Sequence, residues 1–338
     1  MIITKTPFRM SFFGGGTDLP EFFREHGGAV ISTTFDKYCY VNVRHLPRFF
    51  DYTNEIFYSR IERVKDISEI EHPLVRNAME QLHMQELRLT YEADLPARSG
   101  LGTSSSFAVG MLNAFYALKG KYASKKKLAD QAIYLERVLC QEAGGWQDQI
   151  AASFGGFNRI DFTPDGYSVK PIIISNERKE RLNDNLMMFF TGFTRTSADI
   201  QAQVNQSGTD RTAGLIEMLK LVDTAEEILL DKTISLNEFG RLLDYTWELK
   251  RGLSPIVSTN SIDDLYRKGK EAGAIGGKLL GAGGGGFLVF YVDQEHRAAV
   301  REAMSDLLYV PFRFETGGTR VIHYTPENYI PRGTDESL

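Results

Sequence analysis

The sequence is poor in several patterns that would mark particular classes of protein. Only two cysteines, Cys39 and Cys140, occur among 338 residues, so neither a disulfide framework nor a structural zinc site is predicted. No apolar run approaches the roughly 20 residues that a membrane helix needs. The first residues also lack the basic and apolar regions of a secretory signal. We therefore predict a cytoplasmic protein that makes no contact with a membrane.

Charge and histidine spacing exclude further classes. Lys and Arg total 39 against 44 Asp and Glu, which gives a net charge of -5. Because no overall positive field would attract nucleic acid, a nucleic-acid partner is not predicted. The six histidines show no ligand-like spacing, so no transition-metal centre is predicted. Because the net charge is negative, an anionic substrate would need a local basic patch. The sequence does not decide whether the protein forms a homodimer.

Hydrophobic periodicity predicts a mixed fold. Alternating β patterns dominate residues 1–95, whereas helical spacing of apolar residues dominates 104–143. The second half again mixes strands and helices. We predict an α+β protein of two lobes, 1–182 and 183–338, with the active site in the cleft between them. The segments predicted in the second lobe are a strand at 186–190, helices near 215–230 and 236–250, and two strands flanking a glycine loop over 274–292.

The segment from Pro96 to Ser106 reads Pro-Ala-Arg-Ser-Gly-Leu-Gly-Thr-Ser-Ser-Ser and lies between a predicted strand and a long predicted helix. Glycines allow close backbone approach to a ligand, and a helix N-terminus offers unpaired N–H donors to phosphate. The hydroxyls that follow can cap the helix or contact phosphate and Mg²⁺. The segment is therefore either a phosphate-binding loop or a plain helix cap.

A second glycine segment, Gly281 to Gly286, lies between two predicted strands. It is not a P-loop, because no G-x-x-x-x-G-K-[ST] sequence occurs. It is not a dinucleotide fingerprint either, because the glycines lead into a strand and not into a helix. So many glycines are costly to order. We interpret them as backbone that closely approaches a ligand or the other lobe.

A third segment, Pro7 to Asp18, carries Arg9 on a predicted strand, then Gly14-Gly15-Gly16-Thr17, and ends on Asp18 near a predicted helix start. An acidic residue in that position can be a helix N-cap. The alternative is a ligand-binding carboxylate.

Taken together, the three segments resemble the motifs of the GHMP kinase superfamily in order and spacing. The resemblance covers Pro7 to Asp18, Pro96 to Ser104 and Lys278 to Gly286, and therefore spans essentially the whole chain. It implies the two-lobed GHMP kinase fold, ATP and Mg²⁺ as cofactors, and a small sugar or sugar phosphate as acceptor. The residues that it implies for ATP binding are Arg98, Ser99, Gly100, Leu101, Gly102, Thr103, Ser104, Ser105, Gly283 and Gly284.

The resemblance also implies roles for individual residues. The stretch Gly144 to Gln149 is similar to one that supplies the catalytic base in galactokinase and mevalonate kinase, which places that role on Asp148. Arg9 stands where the relatives carry a cation that faces the base and the transferred phosphate. The implied metal ligands are Ser104 and Glu136, and the implied acceptor-binding residues are Gly16, Thr17 and Asp18.

The motif from Pro7 to Asp18 narrows the range of sugars that the resemblance implies as acceptor. The Glu that galactokinases carry before the conserved Thr-Asp region is absent here. The sequence most resembles D-glycero-D-manno-heptose 7-phosphate kinases and next the kinase part of L-fucokinase, which implies phosphorylation of an anomeric hydroxyl to give the 1,7-bisphosphate. Alternatives are another sugar 1-kinase, a diphosphomevalonate decarboxylase and a catalytically silent sugar sensor.

A substrate phosphate would require cations of its own. Arg195 follows a predicted strand, among hydroxyl residues and ahead of a predicted helix, where it could bind that phosphate. The alternative is a solvent-facing Arg beside a capped helix.

Overall fold

Two β-sheets, one formed mainly by each half of the chain, organise the molecule. A computed structural model describes residues 1–97, 99–192, 211–253, 257–281 and 283–326. The larger sheet has nine strands, and the smaller has four antiparallel strands, among the residues described. The larger sheet contains β1 (Ile2–Phe13), β2 (Gly28–His45), β3 (Asn54–Phe57), β4 (Ile61–Val64), β5 (Leu87–Ala93), β6 (Phe157–Thr163), β7 (Gly166–Pro171), β12 (Phe314–Glu315) and β13 (Arg320–Tyr324). The smaller contains β8 (Leu186–Phe190), β9 (Gly276–Leu279), β10 (Phe287–Tyr291) and β11 (Leu308–Tyr309).

Helices cover the two sheets. The first half contains α1 (Pro20–His26), α2 (Pro73–Gln81), α3 (Thr103–Leu118), α4 (Lys125–Tyr134) and α5 (Gln147–Phe154). The second half contains α6 (Asn176–Asp184), α7 (Thr212–Leu230), α8 (Asn237–Leu253), α9 (Asn260–Glu271) and α10 (Arg297–Ala303). A π-helical turn, Leu135–Leu139, continues α4. Within the described ranges, no helix is long and apolar enough to cross a membrane.

The central strands are buried because helices or the second sheet cover both faces. Strand β1 pairs with β2 over almost its whole length, from Ile2 opposite Val43 to Phe13 opposite Ile31. Helix α3 packs on these two strands and buries most of its residues. Small and apolar residues along α3 permit this close approach, and Gly110 places its carbonyl within 2.9 Å of the Thr4 hydroxyl.

One hydrophobic core joins the two halves. Phe12 and Phe13 from β1 both pack edge-on against Phe239 of α8, with ring centroids 5.2 and 5.0 Å apart. The same cluster includes Met188 of β8 and Val289 of β10, all fully buried. The two lobes are therefore packed directly against each other, and their relative position is fixed by apolar side chains.

The chain also returns to its first sheet near the C-terminus. Strand β12 pairs with β2, and β13 pairs with β1. The predicted strand at 186–190 is confirmed as β8, and the two predicted helices after it are confirmed as α7 and α8. The division into lobes at 182 and 183 stays a prediction. Strands β12 and β13 come from the second half of the chain but lie in the larger sheet, which the first half mainly forms.

Candidate active site

A cavity of about 840 Å³ lies where the three glycine-bearing segments meet. Its wall includes Arg9 on β1, the loop that leads into α3, the segment before α5, and the end of α8. The sequence segments that carry the predicted chemistry are far apart along the chain. The fold brings them to one cavity between the two lobes.

Arg9 and Asp148 form the central pair of the cavity. The Arg9 Nε donates to Asp148 Oδ1 at 2.7 Å, and a terminal nitrogen donates to Oδ2 at 2.8 Å. A second terminal nitrogen donates to the carbonyl of Gly100 at 2.5 Å. Arg9 is nearly buried, with 6% of its side chain exposed, whereas 23% of Asp148 is exposed to the cavity. This bidentate geometry fixes both side chains beside the loop before α3.

The loop before α3 presents glycine backbone and a hydroxyl to the cavity. Gly102 immediately precedes the helix with φ of 72°, a left-handed conformation that favours glycine. A Cβ at Gly102 would lie 3.3 Å from the Asp148 carboxylate, so glycine also provides room next to the central pair. Ser104 is exposed, in the first turn of α3. The arrangement places helix N–H groups at the cavity wall and favours phosphate there.

The other residues predicted for this loop have different positions. Gly100, Thr103 and Ser105 line the cavity. Ser99 and Leu101 are fully buried behind it, and the Ser99 hydroxyl donates to the carbonyl of Pro96 at 2.7 Å. These two support the loop through packing. Arg98 lies outside the described residues.

The glycine loop between β9 and β10 packs on the loop before α3. A Cβ at Gly281 would overlap the backbone of Gly100, and one at Gly286 would overlap the backbone of Ser99. The predicted close approach of this glycine backbone to the other lobe is therefore confirmed. Gly284 donates its N–H to the carbonyl of Val257 at 3.0 Å, and a Cβ at Gly283 would meet the same residue. Gly283 and Gly284 therefore hold the loop in place, and they do not line the cavity.

Asp18 is a buried carboxylate in the wall of the cavity. It does not cap α1, because its oxygens accept from Gly16 N–H at 3.0 Å and from Gln147 N–H at 3.2 Å. Burial, and next the charge of Asp148, raise the pKa of Asp18. The backbone of Gly145 runs so close that a Cβ there would overlap the Asp18 carboxylate.

Thr17 has a supporting position. Its hydroxyl oxygen lies 2.8 Å from the carbonyl oxygens of both Gly14 and Ala29, which share its single hydrogen as acceptors, and it accepts from the N–H of Ala29 at 3.1 Å. Its side chain is fully buried, so the hydroxyl is used within the protein. Gly16, by contrast, lines the cavity beside Asp18. Of the three residues for which acceptor binding is predicted, Gly16 and Asp18 therefore line the cavity and Thr17 does not.

Glu136 lies in the π-helical turn and reaches the cavity beside α3. Its Oε2 accepts from the Ser105 hydroxyl at 2.7 Å and from the side-chain amide of Gln149. Burial raises the pKa of Glu136, whereas the charge of Arg137 and these hydrogen bonds oppose the shift. With the exposed Ser104 hydroxyl nearby, the site offers carboxylate and hydroxyl oxygens. This donor set fits Mg²⁺, which takes few protein ligands and completes its shell with phosphate oxygens and water.

Arg137 holds the segment that precedes the base. Its guanidinium donates to the carbonyls of Glu142, Ala143 and Gly145 at 3.1 to 3.2 Å. This fixes the chain between the π-helical turn and α5. Since Gly145 contacts Asp18, Arg137 positions the Asp18 carboxylate and the start of α5 together.

Aromatic side chains form a different part of the wall. Tyr58, His72, Tyr91 and Phe107 all line the cavity. The rings of His72 and Tyr58 are 4.8 Å apart, and those of Tyr91 and Phe107 are 4.7 Å apart. Burial lowers the pKa of His72, which favours the neutral ring. Such a surface is suited to a flat, uncharged ring system.

Comparison with known proteins identifies the family to which this chain belongs. The profile of the GHMP kinases N terminal domain matches residues 70–156, and that of the GHMP kinases C terminal domain matches 225–310. Together they span more than half of the chain. The first match contains the loop before α3, Glu136 and Asp148, and the second contains the glycine loop.

Individual relatives agree with the family profiles. A D-glycero-alpha-D-manno-heptose 7-phosphate kinase from Campylobacter jejuni is 28% identical over 86% of this chain and 89% of its own length. An L-fucokinase/L-fucose-1-P guanylyltransferase from Bacteroides fragilis is 26% identical over 88% of this chain but 35% of its own length. The crystal structure of a D-glycero-D-manno-heptose 1-phosphate kinase from Bacteroides thetaiotaomicron superimposes with a TM-score of 0.77 at 24% identity, covering 95% of this chain and 98% of that one.

Fold, motifs and relatives define a phosphotransferase that uses an alcohol group as acceptor. The chain belongs to the GHMP kinases, whose members take the phosphoryl group from ATP. The α+β, two-lobed GHMP kinase fold expected from the motifs is confirmed.

Several residues that line the cavity or support its wall were not found from the sequence. Lys278 stands inside the third motif and Gln149 directly follows Asp148, so the position of both within motif segments is a sequence signal for them. Arg137 and Lys250 stand in ordinary helical sequence. Their positions become visible only once the lobes are packed together. Arg195 lies outside the described residues.

Proposed function

We propose that this protein transfers the γ-phosphoryl group of ATP to the anomeric hydroxyl of D-glycero-D-manno-heptose 7-phosphate, giving the 1,7-bisphosphate. The observation that carries the proposal is the fixed Arg9–Asp148 pair beside the loop before α3, with the Asp18 carboxylate next to it. The C. jejuni relative acts on a heptose 7-phosphate by its name, which supports this acceptor.

ATP is proposed to lie with its phosphates against the loop before α3. Gly100, Gly102 and Ser104 line the cavity there, and the helix N-terminus favours the phosphate charge. The base of ATP would then reach the aromatic wall that includes Tyr58 and Tyr91. Rings of this kind bind flat bases by stacking.

Asp148 is proposed as the proton acceptor for the sugar hydroxyl. As the hydroxyl oxygen attacks the γ-phosphorus, the bond from that phosphorus to the β-phosphate oxygen breaks, and the hydroxyl proton moves to Asp148. Arg9 holds both carboxylate oxygens and stabilises the negative charge that develops on the migrating group. Phosphoryl transfer depends mainly on such positioning and charge stabilisation. A silent sensor would have no need of a pair held in this geometry.

Glu136 and Ser104 are proposed to hold Mg²⁺. The ion would neutralise phosphate charge and orient the phosphates when ATP is bound. Glu136 is kept in place by Ser105 and Gln149, so the protein supplies a fixed carboxylate for this purpose.

Asp18 is proposed to accept hydrogen bonds from hydroxyls of the sugar, since a carboxylate can accept from two neighbouring hydroxyls. Gly16 and Gly145 bring backbone close on either side of it. Arg195 stays a sequence-based proposal for the 7-phosphate.

The proposal is tested by measuring ATP turnover against heptose 7-phosphate, L-fucose, galactose and mevalonate. We expect heptose 7-phosphate to give the highest kcat/KM. The Arg195→Ala variant should raise KM for that acceptor about tenfold or more and leave KM for ATP almost unchanged. Equal activity on phosphorylated and unphosphorylated heptose would overturn both the assigned acceptor and the role of Arg195, whereas preference for L-fucose would favour a fucokinase-like function.

A further inference from the structure

A second cationic side chain faces the part of the cavity beside Asp18, where the acceptor is proposed to bind. Lys250, in the last turn of α8, lines the cavity and donates from its ammonium group to the carbonyl of Gly281. An ammonium group has three donors, and the bond to Gly281 uses one. The side chain is partly buried.

Contacts place Lys250 near Arg9, because its acceptor Gly281 packs on Gly100, whose carbonyl accepts from Arg9 at 2.5 Å. Burial, and next the charge of Arg9, lower the pKa of Lys250 to about 8, whereas the charge of Asp18 opposes this shift. Arg9 belongs to the central pair and Asp18 to the acceptor end. The charged and titratable groups that face this region are Arg9 of β1 with its partner Asp148 of α5, Asp18 after β1, Lys278 of β9, and Arg211 ahead of α7.

Lys278 is less suited to contact a ligand than Lys250. It is 3% exposed, and its ammonium donates to the carbonyl of Phe12 at 2.7 Å. Burial, and next the charges of Lys250 and Arg9, lower its pKa well below the ordinary value for lysine. Lys278 therefore serves mainly to join β9 to β1, and Lys250 is left as the lysine that a bound molecule can reach.

Asp18 offers acceptors for hydrogen bonds, and a sugar also presents oxygens that require donors. Lys250 provides donors in the cavity that this carboxylate and Arg9 also line. Lys250 would therefore lie near the sugar carbon that becomes phosphorylated, since Arg9 and Asp148 are proposed to act at that carbon. A phosphate at the opposite end of the sugar would lie one sugar length away.

Resting on the function proposed above, we propose that Lys250 is an acceptor-binding residue whose protonated ammonium group donates to sugar oxygens at the reacting end. Asp18 and Lys250 then bind complementary groups of the same sugar. The contact does not involve the distal phosphate. Its loss should weaken phosphorylated and unphosphorylated acceptors equally.

The test is calorimetric binding of D-glycero-D-manno-heptose 7-phosphate and of unphosphorylated heptose to the protein without ATP, from pH 6.5 to 9.5. For the unmutated protein, affinity should be highest below pH 8 and should fall up to about tenfold per pH unit above it, because the protonated lysine is required. Lys250→Met should bind both sugars about tenfold or more weakly at pH 7, with a much smaller decline at high pH.

Lys250→Arg is the second variant, because arginine stays charged throughout this range. It should restore part of the affinity and remove the decline above pH 8, which loss of structure alone would not do. Lys270→Met is the matched control. The ammonium of Lys270 also donates to a main-chain carbonyl, that of Ile275 at 2.5 Å, but the residue does not line the cavity. Its sugar affinity and pH profile should match those of the unmutated protein.

The outcomes separate this inference from the function on which it rests. If the unmutated protein binds neither sugar and turns over ATP with neither, the proposed function fails. If it binds and phosphorylates the heptose but Lys250→Met keeps full affinity and the same pH profile, the role of Lys250 alone is refuted. A loss confined to the phosphorylated sugar would also overturn it, because that result would place Lys250 at the distal phosphate.

Discussion

The contact between Gly145 and Asp18 gives a sharp prediction for Gly145→Ala. The new Cβ would overlap the Asp18 carboxylate and lie 2.9 Å from the main-chain oxygen of Asp18, whereas ordinary contact begins near 3.4 Å. The carboxylate cannot move freely, because Gly16 and Gln147 each donate a backbone hydrogen bond to it. Either Asp18 leaves these donors or the segment before Asp148 shifts.

Both responses impair acceptor binding. Loss of the hydrogen bonds to a charged group corresponds to about 1.5–3 kcal/mol, and we expect kcat/KM for the acceptor to fall roughly ten- to a hundredfold. KM for ATP should change much less, because the loop before α3 is not displaced. The overpacking should also lower the free energy of unfolding by about 1–3 kcal/mol. A coupled assay of ADP release and chemical denaturation would measure the two effects.

Gly252→Ala is the matched control for this substitution. Gly252 is in α8, and a Cβ there would meet nothing within 4 Å. Alanine is favoured over glycine in a helix by up to about 1 kcal/mol, so this variant should retain activity and be slightly stabilised. Full acceptor affinity and unchanged stability in Gly145→Ala would refute the packing of Asp18 against this backbone.

Three further substitutions test the proposed roles. Asp148→Asn should reduce kcat at least about a hundredfold while nucleotide binding, followed by calorimetry, is retained; near-normal turnover would remove Asp148 from the mechanism. Arg9→Ala should lower kcat more than it raises KM for ATP in steady-state kinetics, because its charge acts where negative charge develops, and an effect on KM alone would make it a binding residue. Glu136→Gln should raise the Mg²⁺ concentration for half-maximal activity about tenfold or more. It should not lower the melting temperature, since burial already disfavours the charged carboxylate. An unchanged Mg²⁺ dependence would contradict the role of Glu136 as a ligand.

The sequence predicted the positions of groups that belong to motifs. The glycines before α3 are needed for local backbone geometry, and Gly102 shows this through its positive φ. A local backbone requirement of this kind selects glycine at fixed positions, and the spacing of these glycines is visible in the sequence. The same holds for β8, whose apolar run is buried on both faces by the fold.

Residues whose roles depend on tertiary packing were harder to predict. Thr17 stands in the motif for which acceptor binding is predicted, yet its hydroxyl is hydrogen-bonded to the backbone of Gly14 and Ala29. Lys250 reaches the cavity only because α8 packs against the glycine loop. Neither outcome follows from the residue type or its neighbours in sequence, since both depend on contacts between distant segments.

The position of the new phosphate tests the central claim most directly. The unmutated protein would be incubated with ATP, Mg²⁺ and D-glycero-D-manno-heptose 7-phosphate, and the product examined by phosphorus and proton NMR. We predict a second phosphate on the sugar that couples to the anomeric proton, and we expect Asp148→Asn to form this product at least about a hundredfold more slowly. A phosphate on any other carbon, or no transfer to the heptose while mevalonate is phosphorylated, would contradict the proposed function.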